Sequence, residues 1–327
     1  MEQLKAVRVG YLLGAGSSYL DNAGYPLAFE VWDMIKDRIT DLQKRTEIQS
    51  KMNHERVGLE QALDLLDDGG ATDTPYYHLV IEAIADLFLT KNPNLDVHIE
   101  FVRRLSQRGE PNVKIFSLNY DPLVERAAEA TKVRLVDGFL GVEHAFFDAS
   151  VFEERLFRIR GSYRGRQPDE TAKPLRLLKL HGSLGWYECR VQGIRRCAYI
   201  SPLPNNTKRL MVPPQRRKAT DTMLLPYSAL WSIFRGCLSH NENPINRLAC
   251  FGYGFNDEHV NAVIEAAMAR TDFTLLIFTK ELSDTAWNRW SVKPNAVVVT
   301  ETRCSLKAMV GPGHPDLWRF ERLCKEV

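Results

Sequence analysis

Val7-Arg8-Val9-Gly10-Tyr11-Leu12-Leu13, followed at once by Gly14-Ala15-Gly16-Ser17-Ser18, is the stretch on which the fold turns. An apolar-rich run of strand length closed by a turn of small residues reads as a buried strand entering a tight loop. The same unit recurs downstream. Residues 113–118 run into Asn119-Tyr120-Asp121-Pro122 and a helix that Pro122 can start. Residues 175–180 run into His181-Gly182-Ser183, and residues 247–251 into Gly252-Tyr253-Gly254-Phe255-Asn256-Asp257 and a helix reaching Ala269. Residues 273–278 and 296–299 add two more β-rich runs. Strands that alternate with helices, with Gly, Asn, Asp and His in the loops at their carboxyl ends, predict a Rossmann-like doubly wound parallel α/β sheet. Ligands of such sheets bind at those ends.

Two stretches depart from this alternation. Between 29 and 108 the apolar residues recur at helical spacing, as in Leu59, Leu63 and Leu66 and again in Val80, Ile84, Leu87 and Phe88. A helical module over 29–108 is therefore expected to interrupt a catalytic domain made of 1–28 and 109–327. Residues 187–225, with their arginines, Pro213-Pro214 and short β-like pieces, are expected to form a small irregular insertion within that domain.

Composition excludes several classes. The chain has 327 residues, enough to bury a large core, and 43 Lys+Arg against 41 Asp+Glu leave a net charge of +2. No global field marks a nucleic-acid or membrane binder. Arg195-Arg196 and Arg216-Arg217-Lys218 are short basic runs without interleaved stacking aromatics, so nucleic acid is not expected to bind directly. No apolar stretch approaches the roughly 18–20 residues of a membrane span, and no signal peptide is apparent. Six scattered cysteines without a CxxC pair suit reduced thiols in a cytoplasmic protein, and no metal site is expected. No P-loop occurs, so any ATPase activity must come from another protein. Trp287, Trp290 and Trp318, with Phe320, form either core or an oligomer contact.

Each loop carries chemistry and also a plainer alternative. Gly14-Ala15-Gly16-Ser17-Ser18 offers a pyrophosphate close backbone approach and a following helix N-terminus, yet it could be a tight turn and nothing more. Tyr19 stands where a dehydrogenase fingerprint has its third glycine. Asn119 and Asp121 leave a buried strand where an amide can position a ribose hydroxyl or a water, yet both residue types commonly cap the next helix. His181 ends a strand and can change protonation near neutral pH, as a general base must. The other histidines, among them His259, have no comparable setting in the sequence.

Taken in order, Gly14-Ala15-Gly16-Ser17-Ser18 with Gly24-Tyr25-Pro26, Leu118-Asn119-Tyr120-Asp121, Lys179-Leu180-His181-Gly182-Ser183-Leu184-Gly185-Trp186 and Gly252-Tyr253-Gly254-Phe255-Asn256-Asp257 resemble the sirtuin superfamily. More narrowly, they look like the bacterial sirtuin-like NADase branch of antiphage defence. The resemblance implies that Gly14, Ala15, Gly16 and Ser17 bind the NAD phosphates, that Asn119 and Asp121 contact the nicotinamide ribose side, and that His181 is the catalytic histidine with Asn119 beside it. Gly252, Tyr253 and Asn256 would line the ribose and adenine side.

The departures are informative. Sirtuin deacylases carry a four-cysteine zinc module after the histidine, whereas only Cys189 and Cys197 fall nearby here, and structural zinc needs four ligands. The Asp-Phe-Arg that follows the first motif in many deacylases is replaced by Leu27-Ala28-Phe29. A sirtuin-like fold with an inserted helical module and no zinc ribbon implies an NAD+ glycohydrolase that uses NAD as substrate and no metal. The resemblance further implies a cytoplasmic homo-oligomer, working beside a HerA-like ATPase partner. The alternatives are an NAD-dependent protein deacylase or ADP-ribosyl transferase, and a non-catalytic NAD or ADP-ribose sensor.

Overall fold

The computed structural model describes residues 2–67, 75–108, 110, 112–154, 158–160, 167–169, 173–199, 203–212, 224–239 and 244–327. Pro213-Pro214, the basic run Arg216-Arg217-Lys218 and the rest of 213–223 lie outside the described residues.

The apolar runs become the centre of one sheet. Its strands are β1 (Val9–Leu13), β2 (Lys114–Ser117), β3 (Leu135–Val136), β8 (Leu175–Lys179), β12 (Arg247–Phe251), β13 (Thr274–Phe278), β14 (Ala296–Val299), β15 (Arg303–Leu306) and β16 (Met309–Pro312). The order is β16-β15-β14-β13-β12-β1-β2-β8-β3. Seven neighbours from β14 to β3 pair in parallel, as a doubly wound sheet requires, while β15 and β16 add an antiparallel hairpin at the edge that makes the whole sheet mixed. The chain steps outward from β1 through β2 and then returns to lay β12 on the other flank of β1. That reversal is the switch point at which loops diverge and leave a crevice.

Side chains alternate across the sheet because successive Cβ atoms point to opposite faces. Tyr11, Ile115, Leu177, Ala249 and Leu276 join one buried cluster, and their neighbours Leu12, Phe116, Leu178, Cys250 and Ile277 join the other. The helices are, in chain order, α1 (Gly16–Tyr19), α2 (Val31–Ile35), α3 (Leu42–Glu55), α4 (Leu59–Asp67), α5 (Tyr76–Thr90), α6 (Asp96–Gln107), α7 (Leu123–Thr131), α8 (Tyr227–Leu238), α9 (Glu258–Met268), α10 (Asp284–Trp290) and α11 (Phe320–Leu323). Helices α6, α7 and α11 cover the first face, with Phe101, Ala127 and Phe320, while α8, α9 and α10 cover the second, with Trp231, Ile264 and Trp290. Trp287 and Trp290 are thus core residues, and Trp318 is half-buried.

Helices α2 to α5 build a third cluster around Trp32, Ile35, Ile48, Leu63, Ile84 and Phe88, which Leu123, Leu184 and Met211 join from outside the helical module. Helix α6, although it follows them directly, packs on the main sheet instead. The described part of 139–211 is more regular than its sequence suggests. Five of its strands form a second, antiparallel sheet, β4 (Phe139–Leu140), β5 (Ala145–Phe147), β9 (Gly182–Cys189), β10 (Gly193–Arg196) and β11 (Thr207–Met211), in the order β11-β9-β10-β5-β4. A two-stranded hairpin, β6 (Arg158–Arg160) and β7 (Gln167–Asp169), lies between the two sheets in sequence. Because β9 begins one residue after His181, the second sheet is anchored at the end of β8.

One buried base makes the fold sensitive to acid. His98 on α6 is 1% exposed, lies against Phe320 with ring centroids 5.2 Å apart, and has no hydrogen-bond partner for Nδ1. Burial pushes its imidazole down to about 3, against a smaller opposing pull from Glu125. Above the ordinary histidine range both folded and unfolded states are neutral. As pH falls below that range the unfolded chain binds a proton that the folded chain refuses, so stability drops by about 1.4 kcal/mol per pH unit down to the folded value. Urea denaturation at pH 6 and pH 5 should therefore show a larger loss for wild type than for His98→Leu, by about 1 kcal/mol; equal losses would contradict this origin.

Candidate active site

Strand register brings the four loops to one edge. Leu13 pairs with Phe251 on one side and Ser117 on the other, and Ser117 pairs with Lys179, so Gly14, Leu118, Leu180 and Gly252 each stand one step past the same row. Asn119 and His181 stand one step further, on adjacent strands.

At the switch point the first and fourth loops touch backbone to backbone. The Gly14 amide donates to the Phe251 carbonyl and the Gly16 amide to the Gly252 carbonyl, both at 2.9 Å. Gly252 has φ +62°, and a Cβ there would lie 2.4 Å from the Ser17 nitrogen and 2.6 Å from the Gly16 Cα. A Cβ on Gly14 would meet the Tyr253 Cα at 2.6 Å. The glycines therefore serve this contact between loops. Ser17 and Ser18 also donate their amides within the turn, to Gly14 and Ala15 at 2.9 and 3.0 Å. Four of the five amides of the expected phosphate loop are engaged by the protein itself, and the Ala15 amide is the one for which no such bond stands beside them.

Asn119 and Asp121 make different contacts. The Asn119 Nδ2 donates into the first loop, 3.0 Å from the Gly14 carbonyl, 3.0 Å from Ser18 Oγ and 3.3 Å from Ser17 Oγ. Asn119 thus ties two strand ends together. The Asp121 Oδ1 accepts from the Leu123 amide at 3.1 Å, closing a turn that leads through Pro122 into α7.

Beneath this loop lies a buried ion network that the sequence does not announce. Lys179, 1% exposed, pairs with Glu125 at 3.1 Å and donates to the Asp121 carbonyl. Tyr199 donates to the same Glu125 oxygen at 2.8 Å, and burial holds its phenol well above the ordinary tyrosine range. Charges so deep persist only when paired, and removing one partner typically costs about 3–5 kcal/mol. A lysine inside Leu175-Arg176-Leu177-Leu178-Lys179-Leu180 is the one signal that could have pointed here. The second sheet closes over the same loop, since Ser183 Oγ and the Leu184 amide both donate to the Tyr120 carbonyl, at 3.3 and 3.2 Å.

His181 is 4% exposed, and its Nε2 lies 3.2 Å from the Nε2 of His259. His259 is the site residue that sequence reasoning missed. It is the second residue of α9, and the clue was its position one turn after the Gly252 loop, at the same sheet edge. Trp231 flanks both rings, with centroids 6.4 Å from His181 and 4.9 Å from His259. Its indole N–H donates to the Leu180 carbonyl at 3.2 Å, fixing the residue before His181. In the fourth loop Tyr253 is buried and its hydroxyl accepts from the Asp257 amide at 3.2 Å, whereas Asn256 is exposed. A cavity of about 730 Å³ opens elsewhere, between α5, β11 and the second sheet, and none of the four loops lines it.

A family model described as the SIR2-like domain matches residues 113–294, more than half of the chain. The chain belongs to the SIR2-like domain family. Its α/β architecture, with the mixed sheet described above, is the sirtuin-like one. The matched span of this SIR2-like chain holds Asn119, His181, Gly252 and His259 and begins after the first loop. Among solved structures the chain is similar to a Sir2 homolog in complex with NAD, at 14% identity and a TM-score of 0.46, covering 100% of this chain and 94% of that one. It is also similar to a triple mutant of a Sir2 homologue in complex with 2'-O-acetyl ADP ribose, at 16% identity and a TM-score of 0.45, covering 100% and 98%. Sir2 bound to acetylated peptide is matched at 14% identity and a TM-score of 0.43, covering 97% and 92%. No curated protein matches the chain.

The contact between loops is directly testable. Gly252→Ala adds a Cβ at positive φ against the Ser17 nitrogen, whereas Gly193→Ala at φ +69° meets nothing within 4 Å. The second change should cost about 1 kcal/mol, the price of a left-handed alanine alone. Gly252→Ala should cost at least about 2 kcal/mol more in urea denaturation; equal costs would show that the loops part freely.

Proposed function

We propose that this chain is an NAD+ glycohydrolase that cleaves the bond between nicotinamide and ribose, releasing nicotinamide and ADP-ribose. The observation that carries the reading is the convergence of Asn119 and His181 on adjacent strand ends, with Asn119 held by its side-chain amide to the Gly14–Ser18 turn. The family relation supports NAD as the molecule bound.

The chemistry asks little of the protein beyond positioning and one base. As the bond to nicotinamide lengthens, positive charge builds on the ribose, and a neutral His181 accepts a proton from a ribose hydroxyl or from the attacking water. General-base help of this kind is typically worth roughly 10²–10⁴-fold in rate. Asn119 orients the ribose or the water, and Asp121 stands beside it on the nicotinamide side. Ala15 and Ser17 approach the phosphates with Gly14 and Gly16, while Gly252, Tyr253 and Asn256 flank the ribose and adenine. The expected acceptor is water, because only Cys189 and Cys197 follow His181 closely and the zinc module of the deacylases has no counterpart in the sequence. By resemblance to defence NADases, the proposed role is NAD depletion during phage infection, by a cytoplasmic homo-oligomer beside a HerA-like ATPase.

Purified protein incubated with NAD alone should release nicotinamide without an acyl-peptide or protein acceptor. His181→Ala should lower the rate at least about 10²-fold with the fold retained, and Asn119→Ala should do nearly the same. Nicotinamide release that requires an added acceptor would favour the deacylase or transferase, NAD binding without turnover the sensor, and full activity in folded His181→Ala would overturn the assignment. Adding a HerA-like ATPase to the same assay tests the partner.

A further inference from the structure

His181 and His259 reach each other from opposite flanks of the sheet. One follows β8 and the other opens α9 after β12, with β1 and β2 between those strands. An Nε2 to Nε2 distance of 3.2 Å is a hydrogen bond when one of the two nitrogens carries a hydrogen and the other accepts it. Two protonated imidazoles in contact would repel, so the pair takes up one proton before a second becomes costly.

The surroundings decide where that proton rests. His259 lies in the first turn of an 11-residue helix, whose positive end disfavours a cation. Glu258, which could offset this, is ion-paired with Arg289 at 2.5 Å, and Asp257 stands at the N-cap. Helix α8 presents Trp231 to both rings, and Arg235 stacks on that indole at 5.9 Å. From the end of β11 the contact to His181 is the uncharged Val212 amide, 2.8 Å from its carbonyl.

We propose that His259 is the positioning residue of His181, a neutral acceptor that takes a hydrogen bond from the His181 Nε2–H and holds the ring and its protonated state. At rest His181 carries its hydrogen on Nε2, which leaves Nδ1 as the basic nitrogen. When a hydroxyl O–H bond breaks in the proposed hydrolysis, the proton forms the new N–H bond on Nδ1 of His181. The Nε2–H remains in place and donates to His259 from a cation. That bond is neutral before proton transfer and charge-assisted after it, so it favours the transition state over the ground state. His259 itself neither gains nor loses a proton.

The catalytic consequence rests on the NAD-cleaving reading, but the pair can be tested without substrate. Histidine-labelled NMR of the full chain would follow His181 in wild type, His259→Phe and His259→Gln. The titration midpoint of His181 should fall by about one pH unit in His259→Phe and stay near wild type in His259→Gln, whose amide oxygen still accepts. The neutral ring should be the Nε2–H tautomer. Midpoints that coincide in all three proteins, or an Nδ1–H tautomer, would overturn the proposal. In turnover, His259→Phe should lower kcat about 10-fold or more with little change in KM and move the acid limb of the rate profile in step with the titration. A wild-type protein that shows no turnover would count against NAD cleavage, and the titration would still decide the pair.

Discussion

The contact of Gly14 and Gly16 with Gly252 is the constraint from which the rest of the site follows. It continues the parallel pairing of β1 and β12 past the ends of the strands, with the Gly14 and Gly16 amides bonded to the carbonyls of Phe251 and Gly252. Backbones can approach this closely only where no Cβ intervenes, and Gly252 also adopts a φ of +62° that side chains resist. With the two loops locked, the Gly14 carbonyl and the Ser17 and Ser18 hydroxyls become fixed acceptors for Asn119. The same lock sets where α9 begins, and therefore where His259 stands.

Electrostatics is arranged in two layers. The outer layer, at the sheet edge, contains groups that can change protonation or orient a ligand: His181, His259 and Asn119. The inner layer is the buried set of Lys179, Glu125 and Tyr199, which holds the Asp121 carbonyl from below. Its charges are shielded from water, so disturbing one partner would unsettle the loop that carries Asn119. Rigid support of this kind would hold the Asn119 amide, in the proposed catalytic role, within the narrow geometry that reaction requires.

Much of the fold was legible in the sequence, because strands buried on both faces are continuous apolar runs. Arg247–Phe251 and Ala296–Val299 fall where those runs lie, and the other central strands differ by a residue or two at their ends. The antiparallel hairpin at Arg303–Pro312 escaped notice because half-exposed strands lack that signature. Of the second sheet the sequence showed only short β-like pieces, since β4 and β5 are two and three residues long and β9 continues the chain straight after His181. Within the site, Asn119 and His181 were visible because each stands just past the apolar run of a buried strand. His259 was not, since in linear sequence it is one polar residue at a helix start, and only the folded sheet, in which β1 and β2 separate β12 from β8, brings it to His181. The glycine turn was visible too, and its contact with Gly252 was not, because backbone-to-backbone bonds between distant loops leave no pattern in a sequence.

The most direct test of the account is a crystal structure of the chain with ADP-ribose bound. The account predicts the ligand at the carboxyl edge of β1, β2, β8 and β12, with its terminal ribose within hydrogen-bonding reach of Asn119 and His181. A ligand seated in the cavity between α5 and β11, or anywhere that leaves Asn119 and His181 untouched, would contradict it.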